Sequence, residues 1–298
     1  MRIAITGSSG LIGSALIPRL TADGHQVVRV VRSAPTGDEI GWSPKEHTLD
    51  PAAFDGIDAV VHLAGAGIGD RRWTDDYKRE LLESRTHGTS LVAEAIASAS
   101  DGPKVLLSGS AIGIYGARGD EELTEGSELG DGFLADICKQ WEAATDVAEA
   151  AGARVAHLRT GIVLSADGGA LKKQLPIFKL GLGGKMGSGD QWLSWISIDD
   201  EVEAIVHLLT ADIEGPVNLT APQPVTNATF TKALGAALSR PTFVPIPKFG
   251  PRAILGREAA ENLLFTGQRV LPAVLEGADG FEFQHGDLAT ALSALLDR

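Results

Sequence analysis

Three glycines close to the N-terminus have the spacing of a turn that holds a phosphate. Gly7, Gly10 and Gly13 follow a short apolar run and open a segment with helical character (RIAITGSSGLIGSALIPRL, 2–20). In a strand–turn–helix unit the first glycine allows the tight turn, the second lets the backbone approach a phosphate, and the third lets the helix pack closely. The first amides of the helix also point at the phosphate. This context predicts a dinucleotide site that is formed by Thr6, Gly7, Ser9, Gly10, Leu11, Ile12 and Gly13.

The end of the second predicted strand indicates which dinucleotide binds. An acidic residue there suits the ribose hydroxyl of NAD, whereas an arginine suits the additional phosphate of NADP. Arg32 and Ser33 occupy this place, and no acidic residue occurs between Val27 and Gly37. Because a guanidinium fork matches a phosphate, the sequence favours NADP(H). The alternative is that these are solvated residues at a strand end.

A second contact with the dinucleotide is expected after the strand AVVH. The residues that follow it are small enough for a ligand to lie against their backbone. They are Leu63, Ala64 and Gly65.

The rest of the chain alternates between short apolar runs and helix-length amphipathic segments. This alternation is typical of a parallel sheet that is covered by helices on both faces. We therefore expect residues 1–165 to form a doubly wound α/β domain of the Rossmann type, to which 195–215 returns. Residues 166–298 are expected to form the substrate side and a small, mostly helical C-terminal lobe. The predicted strands are 2–6, 27–32, 59–65, 104–110, 154–164 and 215–221, and the predicted helices include 75–99, 135–152 and 201–209.

Eight stretches of the chain resemble a known superfamily. Four of them resemble the extended short-chain dehydrogenase/reductases in order and spacing: TGSSGLIG, DAVVHLAG, LLSGSAIGIYG and WISIDDEVEAI. Four more resemble an atypical branch, the epimerase-family proteins with a C-terminal domain of unknown function: RRWTDDYKRELLESRTHGT, GFLADICKQWEAA, RTGIVLSADGGAL and GFEFQHGDLATAL. The resemblance covers almost the whole chain. It implies an NADP-binding Rossmann core and a small C-terminal lobe, but no particular substrate.

The resemblance also draws attention to a catalytic pair that is missing. Active members of the superfamily carry a tyrosine and, four residues later, a lysine, which a helix places on one face. The tyrosine exchanges a proton with the substrate while a hydride moves. Here Tyr77 is followed by Leu81, and Tyr115 is followed by Gly119. The usual acid/base is therefore absent from this chain.

The stretch GFLADICKQWE (132–142) occupies the place of that pair. One register aligns Ala135 with the tyrosine and Lys139 with the lysine. The other aligns Leu134 and Cys138, and it puts Glu142 where extended members often have a glutamate. We prefer the second register for that reason.

Two residues are candidates for the catalytic role. Ser110 matches the serine of the superfamily after the fifth strand, and we expect it to orient a substrate oxygen, unless it only bonds backbone at the strand end. Tyr115 lies five residues later and is a candidate proton donor, although such a tyrosine more often packs within its loop. Water or a group of the substrate are the other proton sources.

The candidate substrate contacts lie in two segments. Residues 71–89 combine several cations with Trp73, and they either face an anionic substrate or form a solvated helix face. Lys185 and Trp192 lie in a glycine-rich stretch (166–195), which is either a loop that closes over a ligand or an ordinary irregular loop.

Composition excludes several classes of protein. The net charge of −13 argues against nucleic acid and anionic membranes as partners. Cys138 is the single cysteine, and no pair of histidines has a metal-binding spacing, so we expect no metal site. No apolar run reaches about 18 residues, and no signal peptide is recognisable. We expect a cytoplasmic protein with a small-molecule substrate.

Two functions remain after these considerations. The first is an NADP(H)-dependent oxidoreductase or epimerase-like enzyme that acts on a small, sugar-derived or anionic substrate. The second is a catalytically silent NADP(H)-binding protein that senses redox state. The resemblance further implies that the predicted helices 75–99 and 135–152 are those that pair in superfamily dimers, so a homodimer is also an expectation.

Overall fold

The computed structural model describes residues 1–297. The strands are β1 (Arg2–Thr6), β2 (Gln26–Val31), β3 (Ile40–Gly41), β4 (Ala59–His62), β5 (Val105–Ala111), β6 (Glu122–Leu123), β7 (Arg154–Thr160), β8 (Ile162–Leu164), β9 (Trp192–Leu193), β10 (Trp195–Ser197), β11 (Gly215–Leu219), β12 (Val225–Thr226) and β13 (Arg269–Val270). The helices are α1 (Leu11–Ala22), α2 (Asp75–Ser98), α3 (Phe133–Ala143), α4 (Asp146–Ala150), α5 (Gly169–Lys179), α6 (Ile198–Thr210), α7 (Asn227–Ala237), α8 (Phe249–Leu255), α9 (Arg257–Ala260), α10 (Ala273–Glu276) and α11 (Leu288–Leu296). Short 3₁₀ turns cover Pro51–Phe54 and Ile112–Tyr115, and a π-helical turn covers Glu261–Phe265.

Seven strands form one parallel sheet in the order β3–β2–β1–β4–β5–β7–β11. The strand order reverses between β1 and β4, which is where doubly wound sheets bind ligands at the carboxyl ends of their strands. The predicted fold class, a Rossmann-type parallel sheet with a mostly helical C-terminal part, is confirmed. The domain boundary near residue 165 stays a prediction.

The two faces of the sheet pack against different helices because side chains alternate along each strand. Ile3 and Ile5 of β1 are fully buried in the same cluster as Leu16 of α1. Ala4, between them, packs on the opposite face in a cluster with Val92 of α2. Burial on both faces explains why the strands are almost continuously apolar.

The C-terminal segments attach to the sheet through their own small pairings. β10 pairs with β8 and β13 pairs with β6 in parallel, while β12 pairs with β9 in the antiparallel direction. Helices α7 and α11 contribute Leu234 and Leu292 to the same core as the sheet. Among the described residues no helix is long and apolar enough to cross a bilayer.

The prediction of one helix over 135–152 is wrong. The helix ends after Ala143, because the buried Thr145 turns its hydroxyl back to the carbonyl of Glu142, at 2.8 Å, and bonds His157 Nε2 at 2.9 Å. A threonine that bonds neighbouring backbone in this way competes with the helical pattern.

The prediction of one strand over 154–164 is also wrong, since the chain leaves the sheet at Gly161. A Cβ atom at Gly161 would lie 2.6 Å from the carbonyl oxygen of Ser194, so two backbones meet there. The break separates β7 in the sheet from β8, which pairs with β10 instead.

Candidate functional site

The glycine-rich turn between β1 and α1 is tightly packed. Gly7 has φ of +65°, and a Cβ atom there would lie 2.7 Å from the carbonyl carbon of Leu63. A Cβ atom at Gly13 would lie 2.9 Å from Cα of Ser8, so α1 can approach the turn only because this residue is glycine. The first and third glycines therefore meet the geometric demands expected of them.

The N-terminus of α1 is open to an anion. Ser9 and Gly10 are exposed, and Leu11 and Ile12 are half-buried. Gly10 caps the helix without a side-chain hydrogen bond, and the first turn contains no acidic residue. Free amides and the positive end of the helix dipole thus face the same point, which is the arrangement that binds phosphate.

Thr6 supports this site from below. Its side chain is fully buried, and its hydroxyl accepts hydrogen bonds from the amides of Leu63 (3.1 Å) and Ala64 (3.2 Å). The hydroxyl also bonds Nδ1 of His62 at 2.8 Å. Burial lowers the pKa of His62 to about 4, so this histidine is neutral near pH 7. Thr6 therefore places the loop that follows β4, which includes the exposed Gly65.

Arg32 and Ser33 are exposed at the carboxyl end of β2. Within residues 1–297, the guanidinium of Arg32 makes neither a hydrogen bond nor an ion pair. Asp38 and Glu39 are the acidic residues nearest in the chain, and neither forms an ion pair with Arg32; the carboxylate of Glu39 instead accepts hydrogen bonds from the amide and hydroxyl of Thr36. The cation is therefore available to a ligand.

A cavity of about 270 Å³ lies next to the start of α1 and to the loop that follows β4. Ala170 lines the cavity, and the two residues before it, Gly168 and Gly169, would contact Leu11 at the start of α1 if they carried a Cβ. Arg85 lines it too, and its side chain lies against Gly65. A dinucleotide along α1 and the β4 loop would therefore end at this cavity.

Ser110 and Tyr115 belong to one buried network behind the cavity. Ser110 donates to Glu142 at 2.7 Å, and Glu142 forms two hydrogen bonds of 2.9 Å with Arg159. The Tyr115 hydroxyl donates to Asn218 at 2.7 Å and accepts from Arg159 at 3.0 Å. Neither Ser110 nor Tyr115 is among the residues that line the cavity. The structure thus brings the two candidates together, but it directs their protons to protein acceptors.

The electrostatics of the network keep its groups in fixed protonation states. Burial raises the pKa of Tyr115, although Arg159 opposes that effect. Burial also acts to raise the pKa of Glu142, but hydrogen bonds and the charge of Arg159 outweigh it and lower the value. Glu142 is therefore a carboxylate and Tyr115 a neutral phenol near pH 7.

Helix α3 presents Leu134 and Cys138 to the cavity. Ala135 is buried, and Lys139 lies 3.9 Å from the carboxylates of Asp131 and Asp136. This placement supports the register that aligns Leu134 and Cys138 with the usual tyrosine and lysine. Burial raises the pKa of Cys138 to about 12, so its thiol is not a nucleophile at neutral pH.

The three predicted substrate contacts lie in different places. Trp192 lines the cavity. Trp73 instead packs edge-on against Phe133, with ring centroids 5.1 Å apart, and Lys185 is exposed and donates to the carbonyl of Ser188 at 3.0 Å. Only one of the three therefore borders the cavity.

The cations of segment 71–89 divide into two groups. Four of them bond other parts of the protein: Arg71 to Glu80, Arg72 to the carbonyls of Ala253 and Ile254, Lys78 to Glu258, and Arg79 to Asp76. The fifth, Arg85, faces the cavity. We did not single it out from the sequence, although the signal was present. Tyr77, Leu81 and Arg85 follow at intervals of four, which places the arginine on the buried face of α2.

Trp141, which the sequence places either as an anchor of its helix or at the pocket, lines the cavity, and its ring centroid lies 5.0 Å from the guanidinium carbon of Arg85. Within residues 1–297, no group of three or more His, Cys, Asp or Glu side chains is placed to hold a metal ion.

This chain is similar to known proteins along nearly its whole length. The NAD dependent epimerase/dehydratase family matches residues 3–219, and a domain of unknown function, DUF1731, matches residues 246–295. An epimerase family protein of Mycobacterium bovis is 47% identical over 292 residues, which are 97% of this chain and 96% of the relative. The human epimerase family protein SDR39U1 (isoform 2), in a crystal structure with NADPH, is 36% identical with a TM-score of 0.90, over 100% of this chain and 99% of that one. A UDP-glucose 4-epimerase of Thermotoga maritima, in a structure with UDP-glucose, is 17% identical with a TM-score of 0.79, over 100% of this chain and 98% of that one. At this identity, the last match shows the fold alone.

Proposed function

The chain belongs to the NAD dependent epimerase/dehydratase family, and from this premise we propose that it is an NADP(H)-dependent oxidoreductase or epimerase-like enzyme with a small-molecule substrate. A nicotinamide cofactor supplies hydride exchange when it is bound. The chain supplies the phosphate cradle at Gly7–Gly13, the backbone of the β4 loop, and the cavity into which a substrate fits.

The observation that carries the choice of NADP(H) is the free guanidinium of Arg32. It follows the end of β2, and no protein group within residues 1–297 forms an ion pair with it. An arginine at this place matches the additional phosphate of NADP. The human relative, whose crystal structure contains NADPH, supports the same choice.

Titration with NADPH and NADH, followed by nicotinamide fluorescence, tests this assignment. We expect wild type to bind NADPH more tightly than NADH, and Arg32→Ala to lose about ten- to a hundredfold in affinity for NADPH alone, because one charge-assisted contact is removed. Arg29→Ala, a neighbouring exposed cation, is the control and should keep the preference. Equal affinity of wild type for both cofactors contradicts the choice, and no binding of either contradicts the proposed function.

One observation favours a second candidate, the silent sensor. The described residues that line the cavity include no tyrosine, histidine, lysine, aspartate or glutamate, so a protein acid or base is absent there. Tight NADPH binding without turnover of any carbonyl compound or nucleotide sugar would favour the sensor.

The proposed assembly is a homodimer through α2 and α3–α4, and we propose neither nucleic acid nor membrane as a partner. The charge of −13 supports the last two points. Sedimentation velocity of the purified protein distinguishes dimer from monomer.

A further inference from the structure

The cavity contains an unusual set of ionisable groups. Of the described residues that line it, only Arg85 and Cys138 can ionise at all. The Cys138 thiol stays neutral, because burial raises its pKa to about 12. A substrate that needs a protein acid for protonation during hydride transfer would therefore find none among these side chains.

The charge of Arg85 is not compensated. Its Nη1 donates to the carbonyl of Leu81 at 3.0 Å, and its guanidinium lies over the ring of Trp141. The ionisable groups that act on it are Cys138 and Tyr77, and both are neutral near pH 7, since burial raises the pKa of each. No carboxylate within residues 1–297 forms an ion pair with it. A half-buried cation of this kind is suited to bind an anion or a developing oxyanion.

The walls around this cation are mostly apolar and broad. Three tryptophans contribute to them, together with aliphatic side chains from α3 and from the π-helical turn: Trp141, Trp192, Trp195, Leu134, Leu263 and Leu264. Uncharged polar side chains such as Gln174, Asn262 and Gln268 line the cavity as well. Arg85 is the single cation among the described lining residues, so a mostly apolar body with one anionic oxygen suits the cavity better than a diphosphate, whose several charges need several cationic partners.

We propose that the cavity binds an α,β-unsaturated carbonyl compound with its carbonyl oxygen at Arg85. The inference rests on the proposed function, because the hydride comes from a dihydronicotinamide. The C–H bond of the dihydronicotinamide breaks, and its electron pair forms a C–H bond at the β-carbon of the acceptor. The C=C pair moves toward the carbonyl, whose oxygen becomes an enolate. The dihydronicotinamide is oxidised, the acceptor is reduced, and water then supplies the proton.

Reduction of such an acceptor does not require the catalytic tyrosine that this chain lacks. An alkoxide formed from an isolated ketone is strongly basic and calls for proton transfer in the same step. An enolate spreads its charge and is a much weaker base, so a guanidinium can hold it until water protonates it. Arg85 thus takes the part of an oxyanion-binding group rather than that of an acid.

The first test needs no cofactor and uses 4-nitrophenol, a flat phenol whose ionised form absorbs at a longer wavelength than its neutral form. We expect the wild-type protein to bind the phenolate and to lower the apparent pKa of the probe. Arg85→Met should lose about ten- to a hundredfold in affinity for the phenolate. Arg79→Met removes an exposed cation on the same helix and should behave as wild type.

Two results of this test overturn the proposal. One is equal phenolate binding by wild type and Arg85→Met. The other is competition between 4-nitrophenol and NADPH for the wild-type protein, which would mean that Arg85 serves the cofactor.

The second test compares acceptors in the presence of NADPH. We expect oxidation of NADPH with cinnamaldehyde and not with acetone or UDP-glucose, and a rate that is flat from about pH 6 to about pH 9, because no lining group titrates in that range. A change in rate near pH 8 that is absent in Glu201→Gln would overturn the proposal, because Glu201 would then be the acid. Its carboxyl group accepts a hydrogen bond at 3.0 Å from Thr160, which lines the cavity. If NADPH does not bind, the proposed function fails, whereas the phenolate test still decides the role of Arg85.

Discussion

Glu201 is a carboxyl group that is buried without a cation. It lies in the first turn of α6, where one oxygen accepts a hydrogen bond from Thr160 at 3.0 Å. The other oxygen has no hydrogen-bond partner among the described residues. Burial raises its pKa from the ordinary value of 4.5 to about 8, so the folded protein holds it protonated near pH 7.

The free energy of unfolding should therefore depend on pH through this residue. The folded-state pKa lies above the unfolded value, so the stability from this group is complete below about pH 4.5 and is lost as the pH rises toward 8. We expect urea unfolding to show a loss on the order of a few kcal/mol over that range, and Glu201→Gln to reduce the slope. The exposed Glu282→Gln is the control. Parallel pH curves for wild type and Glu201→Gln would contradict the assignment.

The turn before α1 can pack closely against the helix because its glycines leave no side chain between the two backbones. Gly13 lies against Ser8 and Gly7 with no room for a Cβ atom. Gly13→Ala must therefore displace the helix from the turn, which also moves the amides that face the phosphate. Overpacking of this kind costs about 1–3 kcal/mol.

For Gly13→Ala we expect a lower melting temperature and weaker NADPH binding than wild type. Ser14→Ala changes the next residue, whose side chain is exposed, and should alter neither quantity much. Fluorescence titration and thermal unfolding measure the two effects. Unchanged NADPH affinity in a folded Gly13→Ala protein would show that the position of α1 does not matter for the phosphate.

Elements could be predicted from the sequence where local pattern decides them. Except for the strand predicted over 154–164, the predicted strands lie within three residues of their observed ends, because runs of Val, Ile and Leu mark sheet positions that are buried on both faces. The breaks at Thr145 and Gly161 could not be predicted, since they depend on His157 and Ser194, which the fold brings close. The local sequence pattern does not indicate partners that lie far away in the chain.

The same distinction applies to the candidate site. The glycine cradle and Arg32 were accessible from the sequence because one strand–turn–helix unit and one strand end contain them. The cavity takes its walls from α2, α3, α5, β9 and the π-helical turn, which are far apart in the chain. The position of Arg85 at the cavity becomes visible only when these elements are brought together. The other four cations of segment 71–89 bond protein groups outside the cavity.

At the scale of the whole molecule, the C-terminal part shares a core with the Rossmann sheet. Leu292 of α11 and Leu234 of α7 are fully buried in the cluster that also contains Ile5 of β1 and Leu158 of β7. Asn218 on the edge strand β11 links the two parts as well, because its amide nitrogen donates to the carbonyl of Leu271 at 2.9 Å. Continuous packing of this kind predicts one cooperative unit rather than two.

We therefore expect Leu292→Ala to destabilise the whole chain and not only α11. Removing a fully buried leucine side chain costs about 2–5 kcal/mol through lost burial and the remaining cavity. Unfolding followed by circular dichroism and by tryptophan fluorescence should give one coincident transition, shifted to lower denaturant in the variant. Leu180→Ala, at a leucine that is 74% exposed, is the matched control and should leave the midpoint unchanged. Separate transitions by the two probes would mean that the C-terminal helices fold as an independent unit, and the shared core would then contribute little to the stability of the sheet.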